Sequence, residues 1–118
     1  MVNENMIDAR RLALVQLRKD LSGVVESTAE GARPVDLDEP IGRISRVDAI
    51  QQQKMVAANR QAAQQRRRQV EAALSRMDDG EYGECLGCGE EIDPRRLVAH
   101  PEASLCIECQ GQLESSRD

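Results

Sequence analysis

Four cysteines near the C-terminal end are the residues whose type and spacing point most directly to chemistry. Cys85 and Cys88 form one Cys-x-x-Cys pair, and Cys106 and Cys109 form a second pair after seventeen intervening residues. Two such pairs approach a metal ion from separate turns, and their thiolates complete the tetrahedron that zinc adopts in structural sites. Iron accepts the same ligands. The pattern predicts one structural zinc ion, with no coordination position left for a catalytic water.

Other uses of these cysteines fit the sequence less well. Two disulfides would require an oxidising compartment. The first residues, MVNENMIDARR, contain acids where a signal peptide has a continuous apolar stretch. A thioredoxin-like pair would require a βαβ setting that the flanking sequence does not show. His100 lies between the pairs, but a four-cysteine site is already complete, so we interpret it as a bystander. The chain is expected to be cytoplasmic, with no apolar run near the ~20 residues of a membrane helix.

The segment that must position the cysteines is short. Residues 80–118 are predicted to form a zinc-finger domain, in which Asp93 caps a short helix and Pro94 takes its first position. A further helical turn or two is expected after Cys109, with Leu113 facing inward. Bound zinc should supply most of the folding free energy of so small a module. Its predicted apolar core consists of Ile92, Leu97, Val98, Leu105 and Ile107.

The first 79 residues show the periodicity of helices. Phe and Trp are absent and Tyr82 is the only aromatic residue, so a thick globular core is excluded. A helix is predicted over about residues 3–30 and a second over about residues 44–79, ended by Gly80. The first seam consists of Ile7, Leu14, Leu17, Leu21 and Val24. The second consists of Ala49, Val56, Ala63, Val70, Leu74 and Met77.

These elements predict a mostly α fold. Gly and Pro residues over about 31–43 predict a bend between the two helices. Residues 1–79 should then form an antiparallel two-helix coiled-coil hairpin, followed by the small C-terminal four-cysteine zinc-finger module with its short final helix. An ordinary amphipathic helix pair would show nearly the same pattern at this length.

Charge is divided unevenly along the chain. Residues 46–77 contain seven basic and two acidic residues, for +5, whereas residues 78–118 contain three basic and eleven acidic residues, for −8. Basic residues of the second helix could contact phosphates, namely Arg60, Arg66, Arg67, Arg68 and Arg76. The acidic metal module and the single aromatic ring argue against direct nucleic-acid binding. No nucleophile–base set, phosphate loop or open metal site is present, so no enzymatic activity is expected.

Residues 80–110 closely resemble the DksA/TraR zinc-finger family. The resemblance implies an antiparallel coiled coil carried on a C-terminal zinc globule. It also implies RNA polymerase as the partner, reached through the secondary channel without specific DNA binding. The residues that match are Gly80-Glu81-Tyr82-Gly83, Cys85-x-x-Cys88-Gly89, Ile92, Arg96-Leu97-x-Ala99-x-Pro101 and Cys106-x-x-Cys109-Gln110.

In this family, acidic residues at the coiled-coil tip alter promoter complexes, in the longer members together with the nucleotide ppGpp. The better-known members carry Asp-x-x-Asp-x-Ala there, a string absent from this sequence. Asp36, Asp38 and Glu39 place acids in the predicted bend and are the candidate tip residues. The zinc ligands therefore carry over, whereas the action of the tip and any use of ppGpp stay open. The alternative is a zinc-stapled interaction module without polymerase activity.

Overall fold

A computed structural model describes residues 3–29 and 43–116. The element order is α1 (Glu4–Ser27), α2 (Arg43–Asp78), α3 (Pro94–Ala99) and α4 (Ile107–Ser116). These residues contain no β-strand, only an isolated antiparallel bridge between Glu84 and Glu91. The predicted mostly α class is confirmed. Within the described part of the chain, no helix is both long and apolar enough to cross a membrane.

The predicted bend lies almost wholly outside the described residues. So do the three candidate tip residues, Asp36, Asp38 and Glu39. The chain divides into two compact units, one formed by Met1–Arg18 with Arg68–Asp118 and the other by Lys19–Arg67. The domain division at residue 79 therefore stays a prediction.

The unit that contains the cysteines also holds the most deeply buried helical residues. Leu14 of α1 and Val70 and Ala73 of α2 are fully buried, and Met77 is 7% exposed. Their spacing of three and four residues places the α2 members on one helix face. Arg11 and Asp78 form an ion pair of 3.1 Å at the edge of this seam. The predicted seam positions Leu14, Val70 and Met77 are confirmed here.

The unit of residues 19–67 has a thinner seam. Leu21, Val25 and Ala63 are each 7–9% exposed, and the Arg60 Nε donates a hydrogen bond of 3.2 Å to the Val25 carbonyl. Val24 was predicted for the seam, but it is 40% exposed and the prediction is wrong. At about 100° per residue, Val25 lies about 40° from Leu21 around the helix and Val24 about 60° to the other side, so Val25 takes the inward position.

The first helix ends earlier than predicted. The hydroxyl of Ser27 donates to the Val24 carbonyl at 3.2 Å, and that of Thr28 donates to the same oxygen at 2.6 Å. Side chains that bond to nearby backbone groups compete with the continuing helix. The helix therefore ends at Ser27 instead of about residue 30.

The end of α2 forms a complete glycine cap. The Glu81 N–H donates to the Arg76 carbonyl at 2.8 Å, and the Gly80 N–H donates to the Met77 carbonyl at 3.2 Å. Gly80 has a φ of 75°, which a residue without Cβ adopts at little cost. These two bonds are the Schellman pattern. The predicted stop at Gly80 is confirmed, and the chain passes from it directly into the metal module.

Candidate metal centre

The four cysteine sulfur atoms form one compact cluster. The Sγ atoms of Cys85, Cys88, Cys106 and Cys109 all lie within 4.8 Å of one another, and those of Cys88 and Cys106 are 3.9 Å apart. A tetrahedron with zinc–sulfur bonds of about 2.3 Å has sulfur–sulfur separations of about 3.8 Å. The cluster therefore has the size and donor chemistry that a tetrahedral zinc ion requires.

The first pair sits on a tight turn closed by backbone hydrogen bonds. The Gly89 N–H donates to the Cys85 carbonyl at 2.9 Å, and the Cys85 N–H donates to the Glu90 carbonyl at 2.8 Å. The Gly87 N–H points at the Cys85 Sγ, 3.3 Å away. Gly89 has a φ of 78°, so the turn requires a residue tolerant of the left-handed region. Of the two glycines, Gly87 brings its amide to the sulfur and Gly89 closes the turn.

Gly87 also marks where the two cysteine pairs meet. A Cβ added at this position would lie 3.0 Å from the Cys109 Sγ and 3.3 Å from the Cys109 Cβ. A separation of 3.0 Å is shorter than van der Waals contact, so any side chain here would displace the second pair. Gly87 is therefore required for the close approach of the two pairs, whereas the left-handed position of the turn is Gly89.

The second pair straddles the start of α4. The Cys106 N–H donates to the Cys85 Sγ at 3.3 Å, and the Cys109 N–H donates to the Cys106 Sγ at 3.5 Å. Because α4 begins at Ile107, Cys109 lies in its first turn. The positive end of a helix dipole favours a thiolate at that position.

The pKa values of Cys85 and Cys109 are shifted in opposite directions. The N–H of Cys106, followed by other backbone donors, lowers the pKa of Cys85 to about 6. The neighbouring thiol groups, with Cys106 first, raise the pKa of Cys109 to about 12. Four negative sulfur atoms at these distances repel one another, and a bound divalent cation offsets that repulsion.

The apolar support of the cluster is smaller than predicted. Ile92 and Leu97 are 1% and 0% exposed, as expected, and Leu105 is half-buried. Val98, Ile107 and Leu113 are exposed by 64%, 67% and 41%, and their predicted inward positions are wrong. Consecutive helical residues point about 100° apart, so Leu97 turns Val98 outward. Cys106 faces the cluster, so the next residue, Ile107, points away from it.

The predicted start of α3 is confirmed. Asp93 is its N-cap and accepts a hydrogen bond of 2.9 Å from the Arg95 N–H, with Pro94 in the first turn. The bonds to Arg95 hold the pKa of the Asp93 carboxyl below its ordinary value. His100 follows the helix and is largely exposed, and its Nδ1 lies 3.8 Å from the Glu102 Oε1. It is not a member of the sulfur cluster, which fits its interpretation as a bystander.

Sequence reasoning missed the part played by Tyr82. The sequence analysis used it only as the single aromatic ring of the chain and as a residue of the family pattern, yet it is 6% exposed. Its hydroxyl donates a hydrogen bond of 2.8 Å to the Pro101 carbonyl, and burial raises its pKa to about 12. The available signal was that the single aromatic ring of the chain follows the cap of α2 by two residues.

Comparison with known proteins identifies the zinc-finger family that residues 80–115 match. Residues 80–115 match the family described as "Prokaryotic dksA/traR C4-type zinc finger". The RNA polymerase-binding transcription factor DksA of Haemophilus influenzae is 44% identical over 56 residues, covering 48% of this chain and 39% of that protein. The protein of the same name from Escherichia coli is 30% identical over 99 residues, covering 84% of this chain and 62% of the relative. The chain thus spans less than two thirds of these relatives' length.

Solved structures extend the likeness to the helices. The transcription factor DksA2 from Pseudomonas aeruginosa has a TM-score of 0.76 and 28% identity, with 98% of this chain and 88% of that chain covered. The DnaK suppressor protein from Agrobacterium tumefaciens, at 24% identity and a TM-score of 0.61, shares the fold over 95% of both chains. The predicted helical hairpin with a C-terminal four-cysteine module is confirmed. Residues 80–115 thus form a zinc finger of the DksA/TraR C4 type, and its four clustered cysteines fit one structural zinc ion.

Proposed function

We propose that this protein binds RNA polymerase and regulates transcription through that contact. The observation that carries the proposal is the extent of the similarity, which covers 84% of this chain against the E. coli RNA polymerase-binding factor instead of the zinc finger alone. A finger shared in isolation would support only a common metal module. Similarity through the helices supports a common use of the whole architecture.

The metal has a structural part in this proposal. Cys85, Cys88, Cys106 and Cys109 each bind the ion through Sγ, supported by mutual sulfur distances within 4.8 Å. The ion cross-links two short turns that share little apolar core, and four protein ligands exclude a reactive water. We accordingly assign residues 80–118 to the zinc-finger domain, residues 1–79 to the helical hairpin, and no catalytic role to the chain. A cytoplasmic location accords with such a partner.

The effect on transcription is assigned to the predicted bend of the helical hairpin. Asp36, Asp38 and Glu39 are the candidate effectors, and their support is the acidic character that the family places at the coiled-coil tip. Carboxylates near a polymerase active centre act on bound magnesium or on local charge. Binding and effect are separable in this account, because the helices supply the docking surface and the acids supply the effect.

The test uses purified core RNA polymerase, the zinc-loaded full chain and transcription in vitro. The wild type should co-elute with polymerase and change transcript yield. The double variant Asp36→Asn/Asp38→Asn should still co-elute while losing its effect on transcription. A matched control, Asp8→Asn/Glu71→Gln, removes the same charge from two exposed helical positions and should behave as the wild type.

Three outcomes would count against the proposal. Failure of the wild type to bind polymerase contradicts it outright. A double variant with unchanged effect excludes Asp36 and Asp38 as effectors. Binding to DNA without polymerase, with a steep dependence on salt, would favour nucleic-acid recognition through the basic face of α2.

A further inference from the structure

The segment that leads into the second cysteine pair is held by side chains from outside it. We call residues 101–105 the carbonyl segment, because its backbone oxygens accept hydrogen bonds from three directions before the chain reaches Cys106. The Tyr82 hydroxyl donates to its first carbonyl at 2.8 Å. The Arg76 Nη2 donates to its third at 3.4 Å, and the Arg96 Nε donates to its last at 3.0 Å. Those donors belong to the end of α2, the link after it, and α3.

The opposite side of the same segment bonds to the first cysteine turn. The Leu86 N–H donates to the fourth carbonyl, that of Ser104, at 2.9 Å. The N–H of Cys106, the residue directly after the segment, donates to the Cys85 Sγ at 3.3 Å. The carbonyl segment therefore lies between the side-chain donors and the first pair, and any shift in it moves the Cys106 sulfur.

We propose that Arg76, Tyr82 and Arg96 are positioning residues of the metal centre. They hold the carbonyl segment so that the second cysteine pair stays at ligation distance from the first pair. The proposal rests on the zinc ligation assigned above and is independent of polymerase binding. It adds three residues that neither the cysteine pattern nor the sequence analysis assigned to the site.

The environment of the donors supports this role. Tyr82 is 6% exposed, and both arginines are half-buried. A buried carbonyl that loses its donor is left unsatisfied, which costs more than a lost surface contact. Hydrogen bonds around metal ligands fix the geometry that the ion requires, and their loss typically weakens metal affinity by about 10–100-fold.

Arg76 gives the proposal a consequence for the helices. Its carbonyl accepts the Glu81 N–H in the cap of α2 at 2.8 Å, while its guanidinium bonds to the carbonyl segment. Burial lowers the pKa of this guanidinium from its ordinary value, with the charges of Tyr82 and Glu81 acting in the opposite direction. The last turn of α2 and the zinc site share this residue. Zinc binding and order in that turn are then coupled, and the coupling acts in both directions.

The test measures zinc affinity by competition with a chelator, together with the absorption spectrum of the Co²⁺-substituted protein. The variants are Tyr82→Phe, which removes only the hydroxyl, and Arg76→Met and Arg96→Met, which remove the guanidinium donors. Each should weaken zinc binding by about tenfold and alter the thiolate–cobalt bands that report tetrahedral geometry. Arg76→Lys, which keeps a donor, should recover part of the affinity.

Two controls separate positioning from general stability. Arg95→Met changes the residue next to Arg96, and the Arg95 side chain is 92% exposed. Arg68→Met changes an exposed residue of α2. Both should leave affinity and cobalt spectrum unchanged. Helix content by circular dichroism identifies a variant that fails to fold, and Tyr82→Phe retains the buried ring.

Three results would contradict the positioning role or the zinc ligation on which it rests. Wild-type affinity and cobalt spectra in all three variants, even with lower thermal stability, would overturn the positioning role. Losses of equal size in the two controls would overturn it as well. A wild-type protein that binds no zinc would instead overturn the ligation on which the proposal rests.

Discussion

The unit that contains the cysteines and the unit of residues 19–67 are stabilised differently. In the first, Leu14, Val70, Ile92 and Leu97 are 0–1% exposed, and side chains donate to backbone carbonyls near the metal cluster. In the second, the buried seam residues Leu21, Val25 and Ala63 retain 7–9% exposure. A chain with one aromatic residue thus concentrates its specific contacts around the cysteines and relies on helical periodicity elsewhere. The same unit that would bind zinc also has the more deeply buried helical seam.

The largest effect is expected from breaking the metal centre. Cys85→Ser should abolish stable zinc binding and unfold residues 80–116, because structural zinc supplies on the order of 10 kcal/mol to such modules. Zinc content per chain and amide hydrogen exchange across those residues measure the result. The control His100→Ala should keep both unchanged. Retention of zinc and protection in Cys85→Ser would contradict the structural role of the site.

Matched valine substitutions sharpen the comparison of the two seams. Val70→Ala removes a fully buried side chain and should lower the free energy of unfolding by about 2–3 kcal/mol. Val25→Ala removes a side chain that is 7% exposed, and we expect a loss of about 1 kcal/mol in the thinner seam. Val47→Ala, at a position 56% exposed, serves as the control with little change.

Urea unfolding of the zinc-loaded proteins measures these differences. A loss at Val25 equal to or larger than that at Val70 would show that the two seams are equally well packed.

A glycine substitution tests the meeting point of the cysteine pairs. Gly87→Ala would place a methyl group 3.0 Å from the Cys109 Sγ, so the second pair must shift and zinc affinity should fall by about tenfold. Gly111→Ala, in α4 with nothing within 4 Å of an added Cβ, should retain affinity and gain up to about 1 kcal/mol from helix propensity. Equal zinc affinity in the two variants would exclude a close approach at Gly87.

A further effect is expected at high pH. Burial raises the pKa of Tyr82 to about 12, above the value of about 10 in an unfolded chain. Between these values the folded state binds more protons than the unfolded state, so stability falls as pH rises. Because this is the only aromatic residue, the absorbance of tyrosinate reports its ionisation directly. A midpoint near pH 10 in the folded protein would contradict the burial of Tyr82.

Residues at fixed spacing were the most predictable part of the site. The cysteine pairs, the Asp93-Pro94 helix start and the Gly80 cap each depend on local backbone chemistry, and the sequence identifies such features at single positions. Residues 30–42, where Asp36, Asp38 and Glu39 lie, are outside the described part of the chain, so that assignment stays a prediction.

The sequence predictions failed where three-dimensional packing determines which side chains are buried and which groups meet. Val98, Ile107 and Leu113 are apolar, but no periodic pattern in so short a module indicates which apolar residues face inward. The one-residue difference between Val24 and Val25 lies within the tolerance of a heptad pattern. The donors to the carbonyl segment lie 9, 19 and 27 residues along the chain from the carbonyls that they bind, and only the folded backbone brings them together.

The zinc ligation is tested most directly by X-ray absorption at the zinc edge of the metal-loaded full chain. The account predicts one zinc per chain with four sulfur neighbours at about 2.3 Å and no nitrogen or oxygen ligand. A first shell that contains nitrogen or oxygen, or fewer than four sulfur atoms, would contradict ligation by Cys85, Cys88, Cys106 and Cys109.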